Sequence, residues 1–137
     1  MKKLFTACLI LPAFCFAAPV SDNEKLMNSA VKRFDKVYFE SGMQGVGAEV
    51  RSCYQNAKTD KLYCLYLDYT ARIVDSVMTG GMNMSQDQYF DDAAFGERIK
   101  TNFYHPRHVS TEDANRHLSE LYHKLLQKIT EADGTAK

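Results

Sequence analysis

Apolar residues recur every three to four positions along most of the chain, which is the period of an amphipathic α-helix. The first such stripe covers residues 21–41, and Ser21 followed by Glu24 has the pattern of a capping box at its start. A second stripe covers residues 43–57, after an interruption that includes Gly42. The pattern therefore predicts two consecutive helices that meet at Gly42.

The next segment, residues 62–79, is apolar on nearly every side and ends at Gly80 and Gly81. Its only clear polar stripe consists of Asp68, Arg72 and Asp75. A helix that is apolar all round is usually enclosed by other elements. We therefore predict that this helix is the central one.

Two further helices complete the pattern. A less regular one starts near Ser85 and ends before Pro106, because proline lacks a backbone N–H and disfavours helix at the residue before it. The last covers residues 110–133, with Gly134 as its expected stop. Since no segment shows sustained period-two alternation, we predict an all-α domain of about five helices.

Residues 1–17 have the layout of a secretory signal peptide: two lysines, an apolar run that ends at Phe16, and small residues. A cut after Ala17 places Cys15 and Ala17 at the two positions that a signal peptidase reads. The apolar run of 13 residues is shorter than the roughly 20 that a membrane-spanning helix needs. We expect residues 18–137 to form a single helical domain, periplasmic or secreted, without a permanent membrane span.

Composition and charge restrict the classes of partner that we expect. The chain has 45% apolar and 25% charged residues, as a globular domain does. Loss of Lys2 and Lys3 leaves 15 basic residues against 17 acidic ones. Nucleic acids and anionic lipids both require a basic surface, so neither is an expected partner.

The mature chain keeps two cysteines, Cys53 and Cys64, on either side of the turn between the second and third predicted helices. Disulfides form and persist in exported proteins. We therefore predict a disulfide that staples a helical hairpin, and closing a loop of about a dozen residues stabilises the fold by about 3 kcal/mol in the chain-entropy model. A redox pair usually has two intervening residues, and a zinc site needs two more ligands nearby, so both are weaker interpretations.

The methionines offer one further candidate site. Met78, Met82 and Met84 lie within seven residues, and thioethers are ligands that suit Cu(I). Methionine more often fills gaps in a core, so copper is a weak alternative and no cofactor is expected.

The histidines offer a second candidate site. His105 and His108 lie in a loop with Arg107, whereas His117 and His123 are six residues apart on the last helix and point in different directions. No histidine pair at i and i+4 exists to hold a metal. We expect His105, Arg107 and His108 to be exposed, either as a solvated loop or as part of a partner-binding surface.

A tyrosine cluster on the central helix is the third candidate. Tyr63, Tyr66 and Tyr69 step by three beside Asp68 and Arg72. These side chains either line a ligand pocket or an interface, or they pack in the core. Core packing is the favoured interpretation. The spacing of Asp68 and Arg72 also suits an ion pair between them.

The sequence contains no nucleophile elbow, phosphate loop, zinc-helix motif or paired-carboxylate pattern. We therefore expect no enzyme. The leading hypothesis is an exported protein that binds another exported protein, and a cognate inhibitor or immunity protein against a cell-wall-directed toxin is one concrete form of it. The alternatives are a small-ligand or Cu(I) carrier and, with less weight, an enzyme whose site is assembled across helices. The sequence leaves a homodimer open.

Overall fold

Helices form most of the described chain. The computed structural model describes residues 19–82 and 84–135. Within these ranges the chain has no β-strand and four α-helices: α1 (Glu24–Gln55), α2 (Lys61–Met82), α3 (Asp92–Ile99) and α4 (Thr111–Thr135). The predicted all-α class is confirmed. The predicted signal peptide, residues 1–17, lies outside the described residues.

Gly42 explains why the described residues form four α-helices where the sequence predicts about five. The first two predicted helices meet at Gly42 as expected, where the backbone is non-helical with φ of 62° and ψ of −167°, and the two are counted together as α1. Glycine adopts a positive φ at no steric cost, whereas a residue with a Cβ is strained there. Helix resumes after the bend, so Phe34 before it and Val50 after it belong to the same core.

Aspartate and asparagine cap two helix starts for which the sequence predicts serine. The side chain of Asn23, and not that of Ser21, accepts a hydrogen bond from the Leu26 amide at the start of α1. At the start of α3 the cap is Asp91, six residues beyond the predicted Ser85. Both residue types have short side chains that reach the free amides of a first turn, so the serine pattern misplaces the start by a few residues.

The disulfide staples α1 to α2, as predicted. Cys53 and Cys64 are bonded, with their Cα atoms 5.6 Å apart, and both are buried. The ammonium group of Lys61 reaches back across the turn and donates to the carbonyl oxygens of Tyr54 and Asn56, at 2.8 and 2.7 Å. These contacts satisfy carbonyl groups that the end of α1 leaves without a helical partner.

Helix α2 is the central helix, as its composition predicts. Every residue from 64 to 71 is buried. Helix α1 runs antiparallel to α2 across the stapled turn, and α4 packs on both with Leu121 and Leu125 fully buried. The predicted stop of α4 at Gly134 is wrong by at least one residue, because the helix includes Thr135. Among the described residues no helix combines the length and apolar character that crossing a bilayer requires.

Candidate functional site

The connection between α3 and α4 combines two backbone irregularities. Helix α3 continues into a five-residue π-helix, Lys100–Tyr104, and then into a 3₁₀-helix, His105–Arg107. His108 follows in the left-handed conformation and is the one non-glycine residue of the described chain with a positive φ. Short π-helices and sparsely populated backbone conformations both cluster at functional sites. Residues 100–108 are called the α3–α4 loop below.

Aromatic side chains anchor the α3–α4 loop to the core. Phe103 and Tyr104 are 1% and 3% exposed. The guanidinium carbon of Arg107 lies 4.0 Å from the Phe103 ring centroid, and its Nη1 donates to the Phe103 carbonyl oxygen over 3.0 Å. The backbone N–H of His108 donates to the His105 carbonyl oxygen. Three of the predicted candidates, His105, Arg107 and His108, are thus exposed side chains on an anchored backbone.

A cleft opens beside this loop, between the end of α3 and the start of α4. Its volume is about 340 Å³. The apolar lining comprises Ile99, Tyr104, Val109, Ala114 and Leu118. The remaining lining residues are Gly96, Lys100, His105, Ser110, Thr111 and Asn115. An apolar floor with a few polar groups at its edge is the usual composition of a binding site.

The charge around the cleft differs from that of the chain as a whole. The chain is neutral overall, but residues 98–111 contain three cationic side chains, two histidines and no aspartate or glutamate. The backbone N–H of His105 bonds to the carbonyl oxygen of Lys100, so these two residues lie one π-helical turn apart on the same side. Because Arg98 is paired with buried Asp68 and the Lys100 ammonium group lies 4.0 Å from the Glu97 carboxylate, the cationic side chain of this segment without a described carboxylate partner is Arg107.

The tyrosine cluster predicted on the central helix is divided among different contacts. Tyr66 and Tyr69 are buried, at 0% and 7% exposure, whereas Tyr63 is half-buried. The Tyr69 hydroxyl donates to the Leu118 carbonyl oxygen over 3.3 Å. Tyr66 and Tyr69 are therefore core residues, as the favoured interpretation predicts.

Asp68 pairs with Arg98 of α3 and not with Arg72. The Arg98 guanidinium donates to both Asp68 carboxylate oxygens, at 2.7 and 3.0 Å, and the Tyr54 hydroxyl donates over 3.2 Å. Burial raises the pKa of Asp68, an effect that the hydrogen bonds and charge of Arg98 oppose. Arg72 instead forms an ion pair with Asp92 at the start of α3. The predicted polar stripe thus joins α2 to α3.

A second carboxylate, the half-buried Asp22, was not among the predicted site residues. Its carboxylate accepts from the Tyr66 hydroxyl at 2.9 Å, from His117 Nε2 at 2.8 Å and from Lys124 Nζ at 2.7 Å. Burial acts to raise the pKa of Asp22, but hydrogen bonds from His117 and Lys124 outweigh it and hold that pKa well below its ordinary value. The short N-terminal segment is thereby fastened to α2 and α4.

His117 lies between Asp22 and a tyrosine hydroxyl. The Tyr104 hydroxyl is 2.7 Å from His117 Nδ1, and burial raises the pKa of Tyr104 well above its ordinary value, which keeps the hydroxyl protonated. A carboxylate only accepts hydrogen bonds, so Nε2 carries the proton that faces Asp22, and in the tautomer protonated at Nε2 alone Nδ1 accepts from the Tyr104 hydroxyl. Sequence reasoning missed this role because Asp22 and His117 are 95 residues apart in the chain.

The three methionines of the predicted copper alternative have different surroundings. The Met78 thioether accepts a hydrogen bond from the Tyr38 hydroxyl over 3.2 Å, whereas Met82 and Met84 are each 63% exposed. Among residues 19–82 and 84–135 no group of three or more His, Cys, Asp or Glu is placed to hold a metal ion. Copper binding stays a prediction, which titration of the mature protein with Cu(I) under reducing conditions tests.

Comparison of this chain with protein-family models, with curated proteins and with solved structures finds no significant match. The α3–α4 loop and the cleft beside it are therefore the two candidate sites of the described residues.

Proposed function

We propose that this chain is an exported protein that binds another exported protein through the α3–α4 loop. The observation that carries the proposal is the exposed Arg107 beside His105 and His108, on a backbone that Phe103 and Tyr104 fix to the core. Arginine is enriched among the residues that dominate interface energies. A loop that is already ordered loses little conformational entropy on binding.

Local charge supports an acidic surface on the partner. Residues 98–111 have no carboxylate side chain, although acidic and basic residues balance over the full chain. Opposite charges on two surfaces accelerate association and select the correct partner. In this proposal Arg107 is the central contact and the two histidines flank it.

An inhibitor or immunity protein against a cell-wall-directed toxin is the concrete form that we propose. The chain is small, its first residues have the layout of a signal peptide, and its fold is held by a buried disulfide. The activity of a protein of this kind is binding to its partner and not turnover of a substrate.

Affinity capture tests the proposal. The mature protein is immobilised and exposed to periplasmic extract from its source cell, next to an Arg107→Glu variant and a Lys36→Glu variant. Lys36 is exposed on α1, so its reversal changes the net charge by the same amount away from the loop. The expected result is one exported protein retained by the wild type and by Lys36→Glu but lost with Arg107→Glu.

Two further results decide the outcome. Circular dichroism should show the same helicity and melting temperature for both variants, and a His108→Glu variant serves if Arg107→Glu does not fold. The retained protein should degrade peptidoglycan, and stoichiometric mature protein should inhibit it. Retention that is equal for all variants, or no specific retention, would mean that the loop is not the binding surface.

A further inference from the structure

The α3–α4 cleft is a site that the proposed function does not use. Of the three loop residues assigned to the partner, the central contact Arg107 and its neighbour His108 are not among the lining residues of the cleft, and His105 lies at its edge. The floor of the cleft consists of Ile99 and Tyr104 on one side and Ala114 and Leu118 on the other. A volume of about 340 Å³ lies at the small end of the range for ligand pockets.

Charge distinguishes this cleft from other surface clefts of the described residues. Four others are each lined by at least one carboxylate side chain, from Asp22, Glu24, Asp87 or Glu131. The α3–α4 cleft is lined by none, and Lys100 and His105 lie together at its edge. The nearest carboxylate to the Lys100 ammonium group is that of Glu97, outside the lining, in an exposed pair at 4.0 Å that a ligand carboxylate can replace. Its apolar floor and cationic edge are complementary to a molecule that has an apolar body and an anionic end.

We propose that the α3–α4 cleft binds a small molecule made of an alkyl chain that ends in a carboxylate. The chain lies along the apolar floor, where it displaces water from Ile99, Ala114 and Leu118. The carboxylate lies at the edge, within reach of the Lys100 ammonium group. Hydroxyl and amide side chains of Ser110, Thr111 and Asn115 complete the polar edge.

Titration calorimetry of the mature protein with three soluble probes tests the proposal. Octanoate, octanol and octylammonium share one alkyl chain and differ in the charge of the end group. An exposed ion pair contributes up to about 1 kcal/mol, so octanoate should bind about fivefold more tightly than octanol. Octylammonium should bind most weakly. In a Lys100→Gln variant octanoate should lose its advantage over octanol.

Gly96 provides a variant that blocks the cleft without disturbing the fold. It lies in the cleft wall, and a Cβ added there meets no atom within 4 Å. Gly96→Leu should therefore fold and reduce octanoate binding at least about tenfold, because its side chain occupies the space of the ligand. Gly80→Leu is the matched control, since Gly80 is also helical with open space around its Cβ and is not a lining residue.

Three results would overturn the proposal: no octanoate binding, equal affinity for octanoate and octanol in the wild type, or binding that Gly96→Leu leaves unchanged. The Arg107→Glu variant separates this site from the protein-binding loop. That variant should still bind octanoate, whatever the result of affinity capture.

Discussion

Asp68 is a carboxylate with no exposed surface, at the centre of the contact between α2 and α3. Arg98 compensates its charge through two hydrogen bonds, and Arg98 also donates to the Tyr89 carbonyl oxygen over 2.5 Å and stacks on the Tyr89 ring. A buried ion pair contributes little net stability, but removing one partner leaves the other charge buried and unpaired. The free energy of unfolding should therefore change strongly only when one member of the Asp68–Arg98 pair is removed.

Replacement of Arg98 by methionine should lower the free energy of unfolding by about 3 to 5 kcal/mol. The matched change is Arg72→Met, whose ion-pair partner Asp92 is 83% exposed and remains solvated. That variant should lose about 1 kcal/mol or less. Urea denaturation followed by circular dichroism measures the free energy of unfolding of both variants. Similar losses in the two variants would contradict the conclusion that Arg98 compensates a buried charge and Arg72 does not.

Asp22 should make the stability of the protein depend on pH in the acid range. Its folded pKa is depressed, so the stability it contributes is complete above its unfolded pKa of about 3.9 and is lost as the pH falls below that value. Asp22→Asn should cost about 1 to 3 kcal/mol at pH 7 and flatten the decline in stability between about pH 5 and pH 2.

Chemical denaturation at a series of pH values measures this effect. Glu40→Gln is the control, because Glu40 is an exposed carboxylate on α1 and should leave the acid decline unchanged. An Asp22→Asn variant with the same pH profile as the wild type would show that the Asp22 network does not hold the N-terminal segment.

At the scale of elements, the disulfide and the bend of α1 determine how the helical hairpin fits the rest of the core. The Cys53–Cys64 bond fixes one end of the α1–α2 pair. Toward the other end, the Tyr38 hydroxyl contacts the Met78 thioether. Gly42 lies between these contacts on α1, and its positive φ redirects the helix while both of its parts stay buried against α2.

Gly42→Ala should therefore destabilise the protein by about 1 to 3 kcal/mol, which is the cost of holding a Cβ residue in a disfavoured backbone conformation. Gly80→Ala is the control, because Gly80 has helical geometry and open space, and alanine is the better helix former there. Thermal denaturation of both variants measures the difference. Equal effects would mean that the bend at Gly42 is not required.

Periodicity predicted the elements well wherever the stripe was uninterrupted. Leu121 and Leu125 identify the buried face of α4, and Ser110, where the predicted helix begins, caps it, since its hydroxyl oxygen accepts from the Asp113 amide. The π-helix at Lys100–Tyr104 was not predicted, because its hydrogen-bond pattern has no signature in the spacing of a few apolar residues. The interruption at Gly42 was predicted, but its φ and ψ were not, because they depend on how the two parts of α1 pack.

At the scale of the whole molecule, long-range polar pairs join elements that local patterns cannot connect. Asp68 and Arg98 are 30 residues apart, and Lys124 and Asp22 are 102 residues apart. The sequence correctly placed His105, Arg107 and His108 in an exposed loop, since a proline and several polar residues mark it. It could not show the adjoining cleft, which forms only when α3 packs beside α4.

The dissociation constant of the complex with the exported partner decides whether the α3–α4 loop is the binding surface. Calorimetry with the captured partner should give at least about a 30-fold weaker affinity for Arg107→Glu, as expected for an interface hot spot of 2 kcal/mol or more. Lys36→Glu should stay within about threefold of the wild type, as expected for a charge outside the interface. Equal affinities for the wild type and Arg107→Glu would contradict the account.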